Sequence, residues 1–149
     1  MKSNQTVIMI ARWALRVIAV IILGQTLFFK FSGAAESKYI FATLGAEPWG
    51  RVASGLAELC AIGLLLLPRT AALGALLTTA LMTGAIGAHF TKLGVVVRND
   101  GGLLFALAVT VLICSLVILV IHRRSFLSIA RQAWPDRSSI HCACDQAHP

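Results

Sequence analysis

The chain has 149 residues, of which 58% are hydrophobic and only 13% are charged, and its mean hydropathy is +0.83. A soluble domain carries about 25% charged residues, so this composition excludes an ordinary soluble enzyme and a disordered protein. The net charge of +7 does not indicate nucleic acid, because the basic residues lie at the ends of apolar runs and no nucleic-acid motif is present. The composition indicates an integral membrane protein whose first partner is the lipid bilayer.

Four apolar segments are long enough to cross a bilayer as helices, since about 20 residues at about 1.5 Å each span its hydrocarbon layer. They predict an all-α membrane protein, a bundle of four transmembrane helices with spans at residues 13–31, 52–67, 70–90 and 101–121. Asp100 precedes the fourth span, where a helix N-cap is expected. The chain then divides into an N-terminal segment of residues 1–12, a membrane domain of residues 13–121 and a basic tail of residues 122–149.

The loop between the first two spans is predicted to contain a short helix of its own. Residues 34–44 present an apolar side, and Gly45 and Pro48 end the segment, which indicates an interfacial helix. Residues 32–35 are small, as at a signal-peptide cleavage site. However, the apolar stretch before them is longer than the core of a secretory signal, so the first segment is predicted to be a retained helix.

The distribution of Lys and Arg predicts that both termini are cytoplasmic. Four crossings place the two termini on one side of the membrane. That side then holds eight basic residues: Lys2, Arg12, Arg16, Arg69, Arg123, Arg124, Arg131 and Arg137. The opposite side holds five: Lys30, Lys38, Arg51, Lys92 and Arg98. Arg12 and Arg16 are one turn apart, and both side chains are expected to extend to the same interface.

Glu58 is a carboxylate in the middle of the second apolar segment. An acidic residue there costs about 2.5–3.5 kcal/mol on insertion, and the seven Leu and Ile residues of residues 52–67 offset about 2–4 kcal/mol. The second helix is therefore expected to insert poorly alone. Small residues share the face of Glu58 at helical spacing (Ser54, Gly55 and Ala61), so this face is expected to point into the bundle.

Two basic side chains are expected near Glu58. His89 falls near the end of the third helix and is the expected partner of the acid, while Lys30 closes the first helix on the same side. Lys30, Glu58 and His89 thus form a predicted intramembrane polar site drawn from three helices. Two interpretations stay open: a buried ion pair that fixes helix packing, and a functional site, which is the usual meaning of ionisable residues inside a membrane.

The remaining polar and sulfur-containing residues of the spans favour helix packing. Thr79, Thr83 and Gly87 recur every four residues, which allows close helix approach. Cys60 and Cys114 are single thiols in different helices and are expected to act as small apolar residues; whether they meet is left open. The sequence contains no Cys-x-x-Cys motif, and no pair of histidines suited to bind haem.

The tail carries a compact set of soft metal ligands. His141, Cys142, Cys144 and His148 offer two imidazoles and two thiolates, which suit zinc or copper. Four ligands within eight residues are crowded for one tetrahedral site, so the set is equally compatible with loose binding or none.

Several short motifs, in order along the chain, resemble the DoxX family of small bacterial membrane proteins. They are FKFSG at residues 29–33, FATLG at 41–45, Pro48, GLAEL at 55–59, LLLPR at 65–69 and AHFTKLG at 88–94. The resemblance covers about residues 13–121 and leaves out the cysteine-containing tail. The positions that match include Lys30, Glu58 and His89, which are also the residues of the predicted intramembrane polar site.

The resemblance implies a four-helix protein of the bacterial plasma membrane that acts as an accessory subunit of a quinone-linked redox system. Other membrane redox proteins would then be its partners and quinone its possible cofactor; whether the chain is itself an enzyme stays open. Two alternatives remain. One is a carrier for a soft metal or small solute, against which the scattered thiols argue, and the other is a structural membrane scaffold.

Overall fold

A computed structural model of the protein describes the backbone of residues 2–133 and the side chains of residues 6–122. Within this part every regular element is helical. The elements are α1 (Lys2–Phe31), α2 (Ala35–Thr43), α3 (Trp49–Leu66), α4 (Ala71–Ala88), a π-helical turn (His89–Leu93) and α5 (Leu103–Ala133). The predicted tail ligands His141, Cys142, Cys144 and His148 lie outside the described residues.

Four segments are long and apolar enough to span a membrane: Thr6–Phe31, Trp49–Leu66, Ala71–Leu93 and Leu103–His122. Large apolar side chains cover their outer faces, and Phe28, Ile21 and Leu73 are each more than 60% exposed. In water such a surface would be unfavourable, whereas lipid tails are as apolar as the side chains themselves. The predicted fold is confirmed: a multi-pass membrane protein with four spanning helices and a short helix between the first two.

Two helices are longer than the predicted spans. Helix α1 begins at Lys2, before the predicted start at residue 13, and α5 continues to Ala133, past the predicted end at residue 121. The physical reason is that polarity limits the part of a helix that lies in lipid, but it does not end the helix itself. Helix α4 also continues beyond its α-helical part, because the π-helical turn carries it to Leu93.

The four long helices form a closed ring in which α1 packs against α3 and α5, and α4 packs against the same two helices. The core at the centre of the ring consists of Ala19, Leu23, Leu65, Ala75, Met82, Ala108, Val111, Cys114 and Ile118. Small residues alternate with larger ones there, which lets the four helices approach one another closely. Helices α3 and α4 approach closely near the turn that joins them, where Gly74 lies against the backbone of Leu64 and Leu65.

Two arginines of α1 join it to α5 at one end of the bundle, which we name the Arg16 end. Arg16 is 4% exposed and donates to Nε2 of His122 at 3.2 Å, while Nδ1 of His122 lies 3.2 Å from the Ile118 carbonyl. Arg12 donates to the Ile121 carbonyl at 3.3 Å. Both arginine side chains thus reach acceptors at the end of the α5 segment that could span a membrane, and the expectation that they extend to one interface stays a prediction.

Candidate functional site

Glu58 lies on the inner face of α3, where it is 3% exposed. Gly55, Ala61 and Leu65 are buried on the same face, as expected for residues three or four positions apart along a helix. At Gly55 the ring of Phe31 from α1 lies 3.3 Å from the place a Cβ atom would take. Because glycine has no side chain, α1 can approach α3 closely enough for its own side chains to reach the Glu58 carboxylate.

Lys30 forms a direct ion pair with Oε1 of Glu58. Side chains of an α-helix tilt toward its N-terminus. Since the end of α1 meets the beginning of α3, where Arg51 donates to the Lys30 carbonyl, the two helices run in opposite directions. Lys30 therefore leans down along α1 and Glu58 leans up along α3, so their tips meet between the two helices.

The second carboxylate oxygen of Glu58 is also satisfied. Thr26, one turn before Lys30, has its hydroxyl 3.1 Å from Oε2 of Glu58 and 2.9 Å from the Leu23 carbonyl, so its proton is shared between the two acceptors. Both oxygens of the carboxylate thus have donors, which a charge removed from water requires. The expectation that His89 is the direct partner of Glu58 is wrong, because α1 supplies both donors.

His89 lies in the π-helical turn at the end of α4 and is 6% exposed. Its Nδ1 atom is 2.7 Å from the Gly94 carbonyl, and the Gly94 backbone N–H donates to the His89 carbonyl at 2.8 Å. The ring of Phe105 meets the imidazole edge-on at a centroid distance of 5.5 Å. These contacts fix the orientation of the ring. Turns of π-helix occur frequently at functional sites.

Lys30, Glu58 and His89 all line one cavity of about 510 Å³, which we name the head cavity. Its wall is mainly apolar and comes from α1, α2, α3, α4 and α5, with Phe29, Ile40, Phe41, Leu81, Leu104 and Leu107 among the lining residues. Gln25, Thr26, Glu36, Ser37, Ser54 and Asp100 are further polar residues of the wall. A mostly apolar cavity of this size with a few convergent polar groups is typical of a small-molecule site.

Helix α2 covers the head cavity from the side of the first loop. The Phe41 ring centroid lies 5.8 Å from Lys30 Nζ, and Tyr39 lies 5.8 Å beneath the guanidinium of Arg98. Ser37 is 6% exposed, and its hydroxyl is buried without a hydrogen-bond partner among the described residues. A buried hydroxyl in this state is costly, so Ser37 marks a place where a polar ligand atom would be favourable.

Asp100 organises the loop before α5. Its Oδ1 atom accepts hydrogen bonds from the backbone N–H groups of Val97 and Gly102 at 2.8 and 2.9 Å, and Oδ2 accepts from Leu104 at 3.0 Å. The predicted capping role is therefore confirmed. Desolvation raises the pKa of this carboxyl, but the three backbone hydrogen bonds and the nearby His89 outweigh it, and the pKa lies below its ordinary value.

Replacing Asp100 with Asn should lower the free energy of unfolding by about 1 kcal/mol at neutral pH, the usual size of a lost helix cap. Because folding lowers the pKa of Asp100, its stabilisation is complete above the ordinary aspartate pKa and is lost as the pH falls through the folded-state value. The difference between wild type and Asp100→Asn should therefore shrink below about pH 3.9. Thermal unfolding in detergent at several pH values measures it, and a constant difference down to pH 2 would contradict this account.

The other predicted polar and sulfur-containing residues lie apart from the head cavity or only pack. Cys60 is exposed and Cys114 is buried in the core, and both are free thiols. Thr79 Oγ1 lies 2.9 Å from Ser115 Oγ, which joins α4 to α5. Among the described residues no group of three or more His, Cys, Asp or Glu residues is arranged to hold a metal ion.

Four polar residues of the site were missed by the sequence reasoning: Gln25, Thr26 and Ser37 altogether, and Asp100 as a cavity residue. A signal existed for Thr26, which is four residues before Lys30 and therefore on the same face of α1. None existed for Ser37, because the sequence of the short helix that carries it does not show which of its polar side chains packs inward. Comparison with protein-family models, curated proteins and solved structures finds no match to this chain.

Proposed function

We propose that this protein is a DoxX-like membrane protein that holds the polar head of a quinone-like molecule in the head cavity, as an accessory subunit of a membrane redox system. The observation that carries the proposal is the cavity itself, which gathers Lys30, Glu58 and His89 inside a bundle of spanning helices. The resemblance of residues 13–121 to the DoxX family supports it. The same resemblance places the chain in the bacterial plasma membrane, and its basic residues favour cytoplasmic termini.

The residues of the cavity fit such a molecule. Lys30 has three N–H donors, of which Glu58 takes one, so an ammonium N–H remains for a carbonyl oxygen. The Glu58 carboxylate compensates the lysine charge and keeps it in place. The apolar wall offers a surface for a ring and the first part of a hydrocarbon tail. A bound quinone supplies electron-transfer chemistry, and we assign the exchange of electrons to a partner protein in the same membrane.

Membranes that contain Glu58→Gln or His89→Ala should oxidise added quinol at least several-fold more slowly than membranes that contain the wild-type chain. Glu58→Gln removes the charge that holds Lys30, and His89→Ala removes a polar group from the cavity wall. The measurement is quinol-dependent oxygen consumption by membrane vesicles, at matched protein levels.

The matched control for this experiment is Thr83→Ala. Thr83 is an exposed residue of α4, and its hydroxyl bonds only the Thr79 carbonyl of its own helix, at 2.8 Å. Its replacement should leave the rate unchanged. If both cavity variants oxidise quinol as fast as wild type, the proposed redox role is wrong.

A further inference from the structure

The contact of His89 with Gly94 decides which ring nitrogen carries the proton. A carbonyl oxygen can only accept a hydrogen bond, so Nδ1, which is 2.7 Å from the Gly94 carbonyl, must be the donor. In the neutral imidazole the other nitrogen, Nε2, then carries a lone pair and can only accept. Within residues 6–122 Nε2 of His89 has no hydrogen-bond partner, and the atom is not fully enclosed by the protein, in keeping with the place of His89 in the cavity wall.

The carboxylate oxygens of Glu58 and Asp100 in the cavity wall already have donors. The two oxygens of Glu58 face Lys30 and Thr26, and the two oxygens of Asp100 accept from three backbone N–H groups. Glu36 and Gln25 also line the cavity, but both are exposed. Ser37 Oγ is also buried without a partner among the described residues, but a hydroxyl can donate as well as accept. Among the described buried residues of the wall, Nε2 of His89 is therefore the atom that can only accept and is left for a ligand.

Asp100 strengthens this acceptor. It lines the same cavity and carries a negative charge that its backbone hydrogen bonds keep in place. The negative charge of Asp100 favours the approach of a donor hydrogen, which carries partial positive charge, over that of another lone pair. The edge contact with Phe105 and the Gly94 hydrogen bond keep the ring from turning to offer Nδ1 instead.

We propose that His89 Nε2 accepts a hydrogen bond from the hydroxyl of the ligand's head, so that the head cavity selects amphiphilic molecules with a phenol-type hydroxyl over molecules of the same shape without one. This inference rests on the proposed binding of an amphiphile in the head cavity. Applied to a quinone couple, it means that the reduced, hydroxyl-bearing form binds more tightly than the oxidised form.

A pair of redox-inert probes tests the inference: 4-heptylphenol and its methyl ether, 4-heptylanisole. They share ring and tail and differ in the single hydroxyl proton. Equilibrium dialysis with the full-length protein in lipid nanodiscs measures both affinities at pH 8. The phenol should bind about tenfold more tightly than the ether, since a buried acceptor left without a donor is costly.

His89→Asn is the decisive variant. An Asn amide N–H can replace Nδ1 toward the Gly94 carbonyl, but the side chain ends before the position of Nε2. The variant should fold with nearly unchanged thermal stability and bind phenol and ether equally, because only the acceptor has been lost. Leu104→Ala, a change in the apolar wall, should weaken both probes by the same factor.

The outcomes separate the two proposals. If neither probe binds the wild-type protein above empty nanodiscs, the proposed function fails together with the inference. If both bind and the phenol shows no preference, or if its preference survives in His89→Asn, the cavity binds amphiphiles but the role of His89 as hydroxyl acceptor is wrong.

Discussion

Replacing Lys30 with Met should lower the free energy of unfolding by about 3 kcal/mol, because removing one partner of a buried ion pair leaves the other charge uncompensated. Glu58 is 3% exposed in the middle of α3. Thr26 would remain as its only donor, shared with a backbone carbonyl. Unfolding of the purified protein in mixed detergent micelles, titrated with a denaturing detergent, gives the free-energy difference.

The opposite single change should cost less. In Glu58→Leu the unpaired group is Lys30, which lies in the last turn of α1 and is already 17% exposed at its side chain. A lysine there can move its ammonium group toward the end of the bundle while its stem stays in the apolar layer. We expect a loss of about 1 kcal/mol, well under that of Lys30→Met.

The double variant, Lys30→Met with Glu58→Leu, distinguishes a packing device from a binding site. Apolar residues of similar volume often replace a buried ion pair without loss of stability, so the double variant should return to within about 1 kcal/mol of wild type. If it does so and no longer binds the heptylphenol probe, the pair serves the ligand. Additive losses in the double variant would show that the two charges do not stabilise each other, against the geometry described above.

Gly74→Ala should be strongly destabilising, because this glycine of α4 lies against the backbone of α3. A Cβ atom at this position would lie 2.7 Å from the Leu65 backbone nitrogen and 2.9 Å from the Leu64 carbonyl carbon. Backbone atoms cannot rotate away, so α3 and α4 would have to separate at the turn that joins them. We expect a loss of about 2 kcal/mol or more, measured by the same unfolding titration.

Gly63→Ala is the matched control. Gly63 lies in the same helix pair, is exposed and has no atom within 4 Å of the place its Cβ would take. Alanine there should be neutral or slightly stabilising, because it restricts the unfolded chain and favours helix. Equal effects of the two substitutions would mean that the close contact at the α3–α4 turn is not formed.

The helices were predictable because the bilayer imposes one simple requirement, a run of about 20 apolar residues with its backbone hydrogen bonds closed internally. Residues 52–67 correspond closely to Trp49–Leu66 for this reason. The helix ends were not predictable by the same rule. Helix α1 begins at Lys2 and α5 ends at Ala133, in segments too polar for a search for apolar runs to detect.

The polar site was predictable to the extent that the free-energy cost of burying a charged side chain can be judged from the sequence. Glu58 was recognisable because a carboxylate in an apolar run must be compensated. The choice of Lys30 over His89 as its direct partner depends on which way side chains lean in antiparallel helices. That in turn requires knowing which helices are neighbours. The Gly94 carbonyl, which determines the ring nitrogen of His89 that carries the proton, lies in a loop. Hydropathy does not predict the structure of such a loop.

The contact between Lys30 and Glu58 has a consequence for the order in which the helices enter the membrane during synthesis. Helix α1 precedes α3, so the ribosome delivers the ammonium group to the membrane before the carboxylate that requires it. Glu58 would then meet its counterion on arrival, and the marginal second span would leave the translocon as a hairpin with the first. An order in which α3 emerged ahead of α1 would expose the acid to lipid during synthesis.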